Sequence, residues 1–191
     1  MRILIIGAGG VGSSAALIAA RRDFYEHIVI GDYDGDRAAA LVARIGDDRF
    51  SAIQIDASVA QAVAQACREH QITHVLNVVD PRFVMSIFEG AFLAGADYLD
   101  TAMSLSSAHP EKPHELTGVK LGDDQFAMAD AWEAKGRLAL VGIGVEPGMV
   151  DVFARYAADH LFSEIDELGV RDASDLVVHG YEFAPSFSIW T

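Results

Sequence analysis

The chain is short of cysteine, of basic residues and of long apolar runs, and each shortage excludes something. One cysteine, Cys67, in 191 residues forbids an internal disulfide. No apolar run approaches the roughly 18–20 residues that cross a bilayer. The first apolar run, Ile3-Leu4-Ile5-Ile6, falls short of the ~7–15 residues of a signal-peptide core and reads as a first strand instead. These features point to a cytoplasmic protein. Lys and Arg number 14 against 28 Asp and Glu, a formal net charge of −14. So acidic a surface disfavours nucleic acid and anionic membrane as partners. No Tyr-x-x-x-Lys occurs, which argues against short-chain dehydrogenase chemistry.

What is present is an alternation of strand-like and helix-like runs. Strands are expected at 2–9, 27–34, 50–56, 73–79, 97–102 and 137–144. Helices are expected at 13–23, 36–46, 58–70, 82–95, 124–136 and 148–162. Arg21 and Arg22 suit the end of the first helix, Ser58 suits the cap of the third, and Gly46 closes the second. A polar loop fills 104–122. Alternation at about 20–25 residues per unit implies an α/β fold, a doubly wound parallel sheet with helices on both faces. A seventh strand is expected at 164–172. The division that follows is a dinucleotide-binding domain over 1–162, with 163–191 opening a truncated second α/β domain.

Gly7-Ala8-Gly9-Gly10-Val11-Gly12 fits G-x-G-x-x-G between a strand and a helix, the context that makes the motif informative. Gly7 permits the turn, Gly9 and Gly10 with Val11 offer backbone to a pyrophosphate, and Gly12 lets helix and strand close together. Asp32, twenty residues after Gly12, stands where an acid bonds the adenosine ribose hydroxyls, and it would repel a 2′-phosphate. Tyr33 follows where an arginine would suit NADP. NAD is therefore expected over NADP. Asp34 reads as a turn residue. Asp56, followed by Ala57, is placed either at the adenine edge or as a turn or capping acid.

In such a sheet the chemistry lies beyond the C-terminal strand ends. Asn77 and Val78 on the fourth strand are expected to touch the cofactor, with Pro81 and Arg82 just beyond. Arg82 is a candidate clamp for a substrate carboxylate or a solvated first-turn arginine. Tyr98 and Asp100 share one side of the fifth strand. They are the catalytic candidates, Asp100 as acid/base, as a partner for a substrate amine, or as a structural acid. Ser104 follows. After the sixth strand, Gly142, Gly144, Pro147 and Gly148 crowd one turn around Glu146, and Pro147 fits the first turn of the next helix. His109, Glu111, His114 and Glu115 lie in a proline-broken loop that lacks helical ligand spacing, so no metal site is expected.

The glycine loop, the stretch Asn77–Asp100 with its Ala91-x-x-x-Gly95-x-x-Tyr98-x-Asp100 pattern, and Gly144-x-x-Pro147-Gly148 together resemble the saccharopine dehydrogenase family over residues 1 to about 172. The resemblance implies a Rossmann domain followed by a substrate and dimerisation domain, homodimeric when full length. It implies nicotinamide-dependent oxidative deamination, or reductive C–N bond formation, on a small amino acid or amine. It also implies that Pro81, Arg82, Glu146, Pro147 and Gly148 lie at the nicotinamide and substrate, where Ser104, by its place after the fifth strand, is a further substrate-binding candidate. Tyr33 departs from members with arginine there, and the 109–115 loop is outside the general pattern. The alternative is a nucleotide-sensing regulatory module without catalysis. Such a module needs no Gly-Pro-Gly helix start, and residues 77–151 favour the enzyme.

Overall fold

The computed structural model describes residues 1–171 and 179–180. Six strands form one parallel sheet in the order β3-β2-β1-β4-β5-β6. They are β1 Arg2–Ile6, β2 His27–Asp32, β3 Phe50–Gln54, β4 His74–Asn77, β5 Asp97–Asp100 and β6 Ala139–Leu140. The helices are α1 Gly10–Ala19, α2 Gly35–Ile45, α3 Ala60–Glu69, α4 Val84–Ala94, α5 Asp123–Phe126, α6 Ala129–Ala134 and α7 Met149–His160. A 3₁₀ turn, Pro81–Phe83, leads into α4. The order reverses between β1 and β4, so a crevice opens at their C-terminal ends.

Both faces of the sheet are covered, which is why the strands read as nearly unbroken apolar runs. Along β1, Ile5 packs on one face with Ala16 of α1 and Ala38 and Leu41 of α2. Leu4 and Ile6 pack on the other with Val63 of α3, Ile87 and Phe88 of α4, and Trp132 of α6. Trp132 holds α6 in place through tilted ring contacts to Phe88 at 4.9 Å and Phe92 at 5.4 Å. Cys67 lies in this core, and burial pushes its thiol up to about 12, so it is inert packing.

Several boundaries differ from expectation. α1 starts at Gly10, wound directly from the glycine loop, and ends at Ala19, so Arg21 and Arg22 lie beyond it. Arg49 answers the carbonyls there instead, donating to Ala20 O at 3.1 Å and Arg22 O at 2.8 Å. Ser58 does not cap α3: its hydroxyl donates to the nearer carboxylate of Asp56 at 2.6 Å, and Val59 takes the cap position without a side-chain bond. The helix expected at 124–136 is two short helices divided at Ala127 and Met128. β6 keeps only Ala139 and Leu140 in the ladder because the chain turns away at Gly142.

The strand expected at 164–172 does not form over the described 164–171. A strand needs a neighbour for its amides and carbonyls, and no described strand pairs with it. Leu168–Arg171 instead share a groove with Val150, Phe153 and Ala157 of α7. Residue 172, most of the proposed second-domain start and the chain end lie outside the described residues.

Gly90 of α4 lies tightly against α3. A Cβ there would sit 2.6 Å from Val63 Cβ and 2.8 Å from Ala60 O. Gly90→Val should therefore cost about 1–3 kcal/mol by overpacking, read as a lower urea midpoint. An unchanged midpoint would mean that the helix pair has slack.

Candidate functional site

A cleft of about 480 Å³ opens at the switch point, lined by Gly7, Asp32, Arg37, Ala57, Val79 and Phe83 among others. The glycine loop enters its lining at Gly7. Gly7 adopts φ +111°, and a Cβ there would lie 2.7 Å from Val79 Cγ1. At Gly12 a Cβ would run into the carbonyl oxygen of Gly7 and touch Val78 Cγ2. Gly12 thus serves close packing of backbone on backbone, and Gly7 the positive-φ turn packed against Val78 and Val79. Gly9 and Gly10 differ, because a Cβ at either would meet nothing within 4 Å.

The first helical hydrogen bond of α1 runs from Ser13 N to Gly9 O at 2.8 Å. The amides of Gly10, Val11 and Gly12 therefore precede the ladder and face outward as a donor cradle, with the positive end of the helix dipole behind them. Open space over free amides is what a pyrophosphate requires, so the residues fit a dinucleotide.

Asp32 is buried at the end of β2. Its Oδ2 accepts from Ala8 N at 2.8 Å and its Oδ1 from Asp34 N at 2.9 Å. It thus ties the loop to β2 while its remaining lone pairs still face the cleft. Arg37, in the first turn of α2, lies 3.7 Å from Asp32 Oδ1 and 4.0 Å from Asp34 Oδ2. Asp34 caps α2 by accepting from Asp36 N and Arg37 N. Tyr33 is exposed at the rim. Asp56 lines the cleft but spends one carboxylate oxygen on Ser58 N and Oγ, and the hydroxyl bond holds its carboxyl below the usual range.

Beyond β4 the guanidinium of Arg82 forks onto Asp80, Nε to Oδ1 at 2.9 Å and Nη2 to Oδ2 at 3.1 Å. That bond draws the Asp80 carboxyl down, so a substrate carboxylate at Arg82 must compete with Asp80. Tyr98 and Asp100 are brought together, as their shared side of β5 predicts, but neither lines the cleft. Tyr98 OH donates to Asp100 Oδ2 at 2.9 Å and accepts from Asn77 Nδ2 at 2.9 Å. Gln125 Nε2 and Gly142 N also donate to Asp100, at 2.8 and 2.6 Å. All five residues are buried. Burial pushes the Asp100 carboxyl above its ordinary range, against the pull of those donors. It also pushes the Tyr98 phenol far up.

Ser104 is buried as well. Its N donates to Gln125 Oε1 at 2.8 Å, and its hydroxyl has no partner. The glycine-rich turn after β6 folds on itself. Gly144 N donates to Pro147 O at 3.0 Å, and Gly148 N to Asp151 Oδ2 at 2.8 Å. A Cβ at Gly144 would sit 2.7 Å from Thr101 O, and one at Gly148, φ +129°, 2.6 Å from Gly144 O. The carbonyl of Thr101 keeps Gly144 bare, and the turn's own backbone keeps Gly148 bare. Glu146 projects into solvent from its tip. In the 109–115 loop, His109 Nδ1 accepts from Glu111 N and Lys112 N, which shapes a turn.

Residues 3–140 match the saccharopine dehydrogenase NADP binding domain. The chain belongs to that family. It is 33% identical over 200 residues to carboxynorspermidine synthase of Vibrio alginolyticus, an alignment spanning 98% of this chain and 46% of that protein. It is 28% identical over 187 residues to carboxyaminopropylagmatine dehydrogenase of Synechocystis sp., spanning 98% and 45%. The chain therefore covers about half the length of the curated relatives it matches. Among solved structures it resembles saccharopine dehydrogenase (L-Glu forming) from Saccharomyces cerevisiae, with a TM-score of 0.63 at 17% identity, over 84% of this chain and 31% of that one. That likeness is one of fold.

Membership of this family supports a nicotinamide cofactor. Among the described residues no helix is long and apolar enough to cross a membrane. Sequence reasoning missed Arg37, Val79, Phe83 and Gln125. Arg37 was legible as a first-turn cation five residues after Asp32. Gln125 carried no signal, because its role depends on a partner 25 residues away on β5.

The two kinds of glycine predict opposite phenotypes. Gly9→Val should keep the wild-type urea midpoint and weaken dinucleotide binding by about tenfold or more, ~1.4 kcal/mol. Gly12→Val should lose about 1–3 kcal/mol of stability by overpacking. Calorimetric titration with urea unfolding separates the two, and matching behaviour would refute the distinction.

Proposed function

We propose that this chain is the cofactor-binding part of a nicotinamide-dependent oxidoreductase acting on the CH–NH bond of a small amino acid or amine, by oxidative deamination or reductive C–N bond formation. The observation that carries the reading is the open amide cradle at Gly9–Gly12 backed by Asp32, in a family whose relatives are named synthase and dehydrogenase. Nicotinamide, when bound, supplies the hydride acceptor or donor. The chain's own residues then have three tasks. Gly10–Gly12 hold the phosphates, Asp32 orients the ribose, and the ends of β4–β6 form the wall beside the ring, with Pro81, Arg82 and Glu146 at its edge.

We favour NAD as the cofactor, although the family is described by NADP. Asp32, Asp34 and Asp56 surround the place a 2′-phosphate would occupy. The single nearby cation among the described cleft residues, Arg37, already shares its charge with Asp32 and Asp34. The proposal extends to a homodimer in the full-length protein, assembled through a second unit beginning near residue 163. Exposed Val152, Phe153 and Tyr156 on α7 are consistent with a further packing partner.

The full-length protein should form NADH from NAD with at least one member of a panel of amino acids, amino-dicarboxylates and polyamine-like amines. Tight nucleotide binding without turnover on any of them would overturn the reading. On cofactor choice, Tyr33→Arg should improve NADPH affinity about tenfold, ~1.4 kcal/mol, and leave NADH affinity unchanged. A wild-type protein that already prefers NADPH would refute the NAD assignment.

A further inference from the structure

We infer that Asp100 is a positioning residue whose buried carboxylate presets the wall formed by the ends of β4, β5 and β6, the surface on which the nicotinamide half of the cofactor lies. The inference rests on the proposed cofactor-binding function. Its physical basis is the direction of every hydrogen bond around the residue.

Three backbone amides from separate segments point into this region. Val79 N donates to Asn77 Oδ1 at 3.2 Å, which leaves Asn77 Nδ2 to donate to Tyr98 OH at 2.9 Å. The phenol, having accepted, donates onward to Asp100 Oδ2 at 2.9 Å. Ser104 N donates to Gln125 Oε1 at 2.8 Å, which leaves Gln125 Nε2 to donate to the same Oδ2 at 2.8 Å. Gly142 N donates to Oδ1 at 2.6 Å. No amide side chain can flip, because each carbonyl is claimed by a backbone N–H that cannot turn.

Both carboxylate oxygens therefore face donors, and an acceptor-only group is required at the centre. Among the described residues no cation shares the burden: burial and hydrogen bonds alone perturb the carboxyl. Stability by itself does not demand such a group, since a buried charge is often replaceable by apolar residues. What the carboxylate adds is direction. Its charge-assisted bonds are shorter and stronger than neutral ones.

The residue also grips β6 twice, because its main-chain carbonyl accepts from Ile143 N at 2.8 Å. β6 has only two ladder residues. The contacts of Asp100 to Gly142 and Ile143 are therefore what hold the turn through Gly148 against β5. Through Gln125 and Ser104 the same carboxylate anchors both ends of the 101–122 loop. In a doubly wound sheet the nicotinamide half lies over these three strand ends and the adenosine half over β1–β3. Asp100 touches neither half directly.

The test compares NADH with ADP-ribose, which carries the adenosine half and lacks the nicotinamide, by calorimetric titration. The proposal expects Asp100→Asn, which must set its NH₂ against a donor, to weaken NADH binding about tenfold, ~1.4 kcal/mol, and to leave ADP-ribose binding unchanged. Gln125→Met removes one donor and one acceptor at the edge of the network. It should show the same split, smaller, and it carries the test if Asp100→Asn does not fold. Equal losses for both ligands in a folded variant, or no loss for either, would overturn the positioning role. A wild-type protein that binds NADH no better than ADP-ribose would overturn the underlying cofactor reading, and the positioning role with it.

Discussion

Val79, Ser104 and Gly142 each aim a backbone N–H into the space between β4, β5 and β6, and those three donors set the polarity of everything between them. Amide side chains relay two of the three, a phenol extends one relay, and all end on the Asp100 carboxylate. A buried polar group costs little when every lone pair and proton is matched, and a great deal when one is not. The network is therefore all or nothing. It lets a two-residue strand close the sheet and brings a glycine-rich turn and a long loop to the mouth of the crevice without extra ladder.

The other half of the crevice is built on a different principle. At β1–β3 the determining contact is steric: Gly12 lets the start of α1 rest on the carbonyl of Gly7. That contact leaves the first amides of the helix unspent and the space above Gly9 and Gly10 open. Asp32 then locks the loop through Ala8 N while still facing the cleft. One half is thus preorganised by close backbone contact and left open for a phosphate. The other is preorganised by a buried charge and closed beneath its surface. Glycine serves both halves for different reasons. At Gly9 its absent side chain leaves room above the loop, whereas at Gly144 and Gly148 it makes room for the protein's own backbone, the Thr101 carbonyl in one case and the turn itself in the other.

The parallel sheet, its alternation with helices and the phosphate loop were legible because they rest on local periodicity and on fixed spacings, such as the twenty residues from Gly12 to Asp32. What was not legible depends on distant pairing. Arg49 answering the end of α1, Asp56 taking the Ser58 hydroxyl from α3, and Gln125 completing the Asp100 network are choices between partners that no local pattern ranks. The expected strand at 164–172 illustrates the same limit, since an alternating pattern makes a strand only where a ladder partner exists. Tyr98 and Asp100 were found by their shared side of β5, yet their burial at the centre of a hydrogen-bond network emerges only from the packing of Gln125 and Gly142 around them.

Backbone amide shifts in the nuclear magnetic resonance spectrum, followed as NAD is added, test the account most directly. It predicts the largest changes at Gly9–Gly12, with further changes at 32–37 and 56–58 for the adenosine half and at 142–149 for the nicotinamide half. Shifts confined to other surfaces, or a spectrum that does not respond to NAD, would contradict it.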